Sequence, residues 1–149
     1  MTKHLGYTAT REQINPWQSG MVENLLRYHF AIGFTEFHHG DCIGGDDFAA
    51  RVAYSLGYRV ISHPPLHSGL RAHAPAHFVH DPKSYHKRNS DIVSSCSGAI
   101  GVPNTNTPRP RSGTWCTLAK LSSANIPYWA VSPSGMWAVT PLPASVQRS

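Results

Sequence analysis

Short apolar runs alternate with longer stretches in which apolar residues return every three or four positions. His4-Leu5-Gly6-Tyr7-Thr8-Ala9 reads as a first strand, followed by a turn of small hydroxyl residues across Thr8–Arg11. Asn15-Pro16 predicts a helix start, because Asn can cap and Pro suits the first helical position. Met21, Leu25, Leu26 and Ile32 give that helix an apolar face, and Gly33 suits its end. Thr35–His39 predicts a second strand. A Gly-rich loop, His39–Asp47, then leads into a helix that Asp46 or Asp47 can cap, with Phe48, Ala49, Val52, Ala53 and Leu56 inward and Gly57 at its end. Tyr58–Ser62 is a β-branched strand closed by His63-Pro64-Pro65. Residues 64–82 carry Pro, His and Gly without a period, and a loop of that length in a compact domain is usually functional or mobile. Ser84–Ser95 predicts a helix, Gly98–Pro103 a buried strand, and Asn104–Arg111 a second loop. Ser112-Gly113-Thr114 opens a last helix, and Ile126–Val131 is a last strand.

The order β-α-β-α-β-α-β-α-β predicts an α/β fold: a Rossmann-like three-layer sandwich, with a central parallel sheet of about five strands and helices on both faces. The expected organisation is one domain over 1–133 and an irregular tail over 134–149, with room for a short strand at Met136–Val139. In such sheets ligands bind beyond the carboxyl ends of the strands, where loops run into helix N-termini. The loops Thr8–Arg11, Gly40–Asp46 and Ser112–Thr114 have the small, polar content for that rim.

Composition narrows the class. The chain has 149 residues, 40% hydrophobic and 14% charged, and 15 of the former are aromatic (five Phe, four Trp, six Tyr), which excludes a disordered chain. No apolar run approaches the roughly 20 residues of a membrane span. Met1–Gly6 lacks an apolar signal core, so a cytoplasmic setting is expected. Three cysteines without a CxxC spacing exclude an intrachain four-thiolate zinc site. Thirteen Lys and Arg against eight Asp and Glu give +5, and no acid follows Asp91, so the second half should attract anions. Nucleic acid is disfavoured as a partner, because no run of adjacent basic residues forms a phosphate-tracking stripe.

The rim loops offer particular chemistry. A helix N-terminus presents free N–H groups and the positive end of the helix dipole, and Ser112, Gly113 and Thr114 add hydroxyl donors and a bare backbone for an anion. The same tripeptide also suits a plain capped helix. Gly44-Gly45-Asp46 is not a dinucleotide fingerprint: a carboxylate there fits a sugar hydroxyl, a base amino group or a cap. Arg88-Asn89 can present a planar guanidinium to phosphate or form a solvated helix face. Six of the ten histidines fall between His63 and His86, but no HExxH occurs, and a polar lid is favoured over a metal site. Cys42 reads as a small buried thiol before it reads as a nucleophile. No cofactor is implied.

Taken together, the pieces resemble the SLOG superfamily, Rossmann-like proteins that include the LOG phosphoribohydrolases and DprA-type domains. Gly6-Tyr7-Thr8-Ala9-Thr10-Arg11 is similar to the opening G-x-T-G-T-R, and His39–Asp46 to H-G-D-C-x-G-A-D. His63-Pro64-Pro65 follows the third strand as in the family. Tyr85–Val93 resembles the x-R-N-x-x-[IM]-V helix, and Ser112-Gly113-Thr114-Trp115 the phosphate loop S-G-T-W. The resemblance implies binding of a nucleotide or nucleotide-derived ligand by Thr8, Thr10, Arg11, Gly40, Asp41, Gly44, Gly45, Asp46, His63, Arg88, Asn89, Ser112, Gly113, Thr114 and Trp115. Within that set Ser112–Thr114 and Arg88 would take the phosphate. A homo-oligomer, a dimer or tetramer, is also expected, because parallel-sheet relatives often pair through exposed helices. The hydrolases carry P-G-G-x-G-T-x-x-E, and here the third residue after Thr114 is Thr117, which has no carboxylate. Binding is therefore the leading expectation, and N-glycosidic cleavage of a nucleoside monophosphate the alternative.

Overall fold

The computed structural model describes residues 2–140. Its core is a seven-stranded sheet in the order β4-β3-β2-β1-β5-β6-β7. The strands are β1 (Lys3–Ala9), β2 (Phe34–His39), β3 (Arg59–Ser62), β4 (Phe78–Val79), β5 (Gly98–Val102), β6 (Tyr128–Val131) and β7 (Met136–Val139). The helices are α1 (Pro16–Ala31), α2 (Gly45–Leu56), α3 (Tyr85–Ser95) and α4 (Gly113–Ser123). All neighbouring strands run parallel except β6 and β7. The Rossmann-like α/β expectation holds, with two more strands than the five expected. One is β4, a two-residue edge strand inside the His-rich segment. The other, β7, is the short strand allowed for at Met136–Val139 within the stretch otherwise expected to be irregular; the last residues of that stretch, 141–149, lie outside the described residues.

Period-two alternation along the strands feeds two cores. Leu5, Tyr7, Phe37, Val60, Ile100 and Val102 point to one face, where Val22 and Leu26 of α1 and Ala49 and Ala53 of α2 cover them. Ala99 and Ala130 point to the other, under Val93 of α3 and Leu118 and Leu121 of α4. Close approach on that second face depends on two glycines. A Cβ at Gly6 would lie 2.8 Å from Cys96 Sγ, and one at Gly101 would lie 2.4 Å from Leu118 Cδ2.

The helix starts show which caps the sequence encodes. Asn15 and Gln18 form a reciprocal capping box: Gln18 N donates to Asn15 Oδ1 (2.8 Å), and Asn15 N donates to Gln18 Oε1 (3.1 Å). Gln18 Nε2 also donates to Pro103 O (2.9 Å) and Val131 O (3.1 Å), which fixes α1 to the ends of β5 and β6. Ser112 caps α4 by accepting from Trp115 N (3.3 Å). Neither Asp46 nor Asp47 caps α2. Gly44, at φ +89, is the cap residue and contributes no side-chain bond, so both acids lie inside the first turn.

The chain leaves β1 toward β2 on one side, and β5 lies on its other side. The carboxyl ends of β1 and β5 therefore form the switch point of the sheet, where a cleft opens between diverging connections.

Candidate functional site

After β2 the chain must turn sharply, and it does so through Asp41 in the left-handed region (φ 51) and Gly44. Asp41 is buried and faces away from the switch point. Its Oδ2 accepts from Arg71 Nε (2.9 Å), its Oδ1 from Ala74 N (3.0 Å), and its main-chain oxygen from Ala72 N (2.8 Å). These bonds pin the 70–74 segment to Asp41.

Asp46 points inward from the first turn of α2. Its Oδ2 accepts from Cys42 N (3.2 Å), and its Oδ1 has no partner. Burial raises its pKa to about 6, against the opposing pull of the Arg88 charge. Arg88 comes up from α3 and is 4% exposed. Its Nη1 donates to Gly40 O (2.6 Å) and lies 3.5 Å from His63 O, while its Nε has no partner. A Cβ at Gly40 would sit 2.0 Å from Arg88 Nη1, so only glycine leaves room for this guanidinium. The cavity enclosed by Thr8, Gly40, Asp46, Arg88 and Asn89 measures about 10 Å³, room for roughly one water. Burial also pushes the Cys42 thiol up, which keeps it protonated and disfavours a nucleophilic role.

Outside this polar plug lies Tyr85, the first residue of α3. Two guanidinium groups lie over its ring, Arg88 at 4.9 Å and Arg11 at 5.8 Å from its centroid. Two open grooves meet at Arg11 and Tyr85. One, of about 330 Å³, is lined by Arg11, Tyr85, His86, Arg111, Gly113 and Lys120 among others. The other, of about 220 Å³, runs past Thr10, Arg11, Tyr85, Arg111, Ser112 and Thr114. Gly113 lets the helix start close on the tyrosine, because a Cβ there would fall 1.7 Å from Tyr85 Oη.

The structure therefore gathers Thr8, Thr10, Arg11, Gly40, Asp46, Arg88, Asn89, Ser112, Gly113 and Thr114 around one edge of the sheet, in two layers. Arg88 and Thr114 line adjoining cavities that share Ala9, Arg11 and Tyr85. Gly44 lines a separate groove of about 490 Å³ on the far side of Arg11, and Gly45 packs against Ala9. Besides Asp41, two expected residues lie elsewhere. His63 is buried beneath the rim: its Nε2 is 2.9 Å from His38 Nδ1, and its ring stacks on His80 at 4.4 Å. Burial takes its pKa down to about 3. Trp115 donates from Nε1 to Thr105 Oγ1 (2.9 Å) and stacks on Trp137 at 6.2 Å, so its ring braces the 104–111 loop and β7. The sequence places Tyr85 at the head of the Tyr85–Val93 motif but gives it no ligand role. Its position three residues before Arg88, on the same helix face, was the available signal.

No family model matches the chain, and no curated protein matches it. Among solved structures, DNA processing protein A (DprA) from Helicobacter pylori, described for its single-stranded DNA binding mode, is similar in fold. The TM-score is 0.61 at 14% sequence identity, over 86% of this chain and 64% of that one. The present chain thus spans somewhat under two thirds of that protein, and the two share a DprA-like, Rossmann-like fold.

Two expectations are corrected here. A small nucleotide was expected as the ligand, whether bound or cleaved, and nucleic acid was disfavoured. The solved neighbour binds single-stranded DNA. The enclosed cavity at Arg88 holds about 10 Å³, while the larger spaces at this edge are open grooves. Arg11, Arg111 and Lys120, which line the open grooves, come from separate parts of the chain. Among the described residues, no helix is long and apolar enough to cross a membrane.

Proposed function

We propose that this chain binds single-stranded nucleic acid, DNA in the first instance, along the open grooves at the carboxyl ends of β1 and β5. The observation that carries the reading is the meeting of two grooves at Arg11, Tyr85, Arg111 and Gly113, with Lys120 further along. Cations from separate parts of the chain line these grooves, as a phosphodiester backbone requires, and Tyr85, 39% exposed, offers aromatic surface for a base. Only Glu12 brings a carboxylate to either lining. The free N–H groups at the start of α4 add donors for a phosphate oxygen. Arg88 and Asp46 support the site from beneath: Arg88 fixes Tyr85 by stacking and holds the Gly40 turn. Assignment to the SLOG superfamily belongs to the same proposal and is supported by motifs that meet at one edge of the sheet.

Fluorescence anisotropy with a labelled single-stranded oligonucleotide tests this reading, with a duplex of the same sequence and a nucleoside monophosphate as competitors. The single strand is expected to bind and to be displaced by unlabelled single strand, while the monophosphate competes only at far higher concentration. Displacement by the monophosphate at the lower concentration, or equal affinity for the duplex, counts against it.

A further inference from the structure

A second cluster of polar side chains lies apart from the grooves and shares no lining residue with them. It is built by strand register. His4 on β1 is paired with Glu36 on β2, and Gly6 with His38, so His4, Glu36 and His38 project from the same face of two adjacent parallel strands. One donor atom from each lies within 4.8 Å of the others. His4 Nε2 is 2.6 Å from Glu36 Oε2, and His4 Nδ1 is 2.8 Å from His38 Nε2. His38 is buried, Glu36 is 12% exposed at its side chain, and His4 is 35% exposed, so solvent reaches the cluster on the His4 side.

We propose that His4, Glu36 and His38 form a binding site for a divalent late transition-metal ion of the zinc type. Two imidazoles and a carboxylate are the donor set that holds zinc while leaving a fourth position for water. Neighbouring groups already orient the donors. Arg59 Nη1 donates to Glu36 Oε1 (2.6 Å), which leaves Oε2 toward His4. His63 Nε2 lies 2.9 Å from His38 Nδ1, which leaves His38 Nε2 directed at His4 Nδ1. Such second partners fix ring orientation and tautomer in metal sites. A hard ion such as magnesium is disfavoured, because it prefers oxygen ligands.

Isothermal titration calorimetry with zinc chloride on tag-free, chelator-stripped full-length protein tests the site. Cobalt(II) absorption on the same samples reads out the coordination geometry. One ion per chain is expected. His4→Ala and Glu36→Gln, both at partly exposed positions, should each abolish that event with folding checked by circular dichroism. The control His86→Ala, in the groove and outside the cluster, should leave it unchanged. His63→Ala should weaken it by about 10–100-fold through loss of the orienting contact. Absence of stoichiometric binding overturns the proposal, as does binding that survives both His4→Ala and Glu36→Gln.

Discussion

Substituting Gly40 by Ala adds a single methyl group at the point where three rim elements meet. The Cβ would lie 2.0 Å from Arg88 Nη1, 2.7 Å from Arg88 Cζ and 3.0 Å from Asp46 Oδ2. Gly40 has no positive φ, so the effect is steric and not one of backbone strain. To make room, the guanidinium must leave Gly40 O and give up a bond of 2.6 Å. A hydrogen bond to a charged group is worth about 1.5–3 kcal/mol, and stripping a buried charge of its partner costs about 3–5 kcal/mol. These overlap, so about 3–5 kcal/mol is expected, a large share of the 5–15 kcal/mol that stabilises a typical domain. Urea unfolding followed by tryptophan fluorescence measures it, with the m-value confirming that the same surface unfolds. The double substitution Gly40→Ala with Arg88→Met supplies the control. Removing the guanidinium clears the space, so the methyl group should cost far less in that background. A loss below 1 kcal/mol for Gly40→Ala alone, or strict additivity in the double variant, would refute the wedged placement of Arg88.

The remaining predictions concern pH and the aromatic face. Asp46 has a folded-state pKa raised from 3.8 to about 6 by burial, so the folded chain holds this proton more tightly than the unfolded one. Its contribution to stability is complete below about pH 4 and is lost as the pH rises through about 6, for a total of about 3 kcal/mol. Asp46→Asn should flatten the slope of unfolding free energy between pH 4 and 6, and an unchanged slope would remove Asp46 as its source. Tyr85→Ala should weaken single-stranded oligonucleotide binding by about 1–3 kcal/mol through lost base stacking, measured by anisotropy, with far less effect from Tyr54→Ala on α2.

Much of the fold was legible because its signals are local. Asn15-Pro16 with Gln18, Gly57 after α2 and Ser112-Gly113 before α4 each mark a helix end through bonds made within a few residues. The alternation of elements then implied the parallel sheet. β4 was hidden because Phe78–Val79 has no pattern of its own. It is placed by pairing with Ile61 and Ser62 and by the bonds from His77 N to Val60 O and His80 N to Ser62 O. At the rim, the loops were legible but their orientation was not. Asp41 in the loop and Asp46 in the first turn of α2 are only five residues apart, yet the left-handed turn at Asp41 sends one carboxylate to Arg71 and Ala74 and leaves the other near Gly40. Arg88 alone read as either a phosphate contact or a solvated helix face, and the family resemblance implied the phosphate contact. Its inward course depends on the missing side chain of Gly40, 48 residues away. The His4–Glu36–His38 cluster was beyond sequence reasoning for the same reason, since its register is set by strand pairing across 34 residues.

The central claim is that a phosphate backbone lies along Arg11, Arg111 and Lys120, and the salt dependence of oligonucleotide affinity tests it most directly. Each neutralised phosphate of a single strand contributes a slope of about −0.7 to log K against log salt, so the three groove cations predict about −2. Arg111→Ala should weaken binding and make the slope shallower by about 0.7, largely independent of oligonucleotide sequence. A slope near zero, or one that Arg111→Ala leaves intact, would contradict the account.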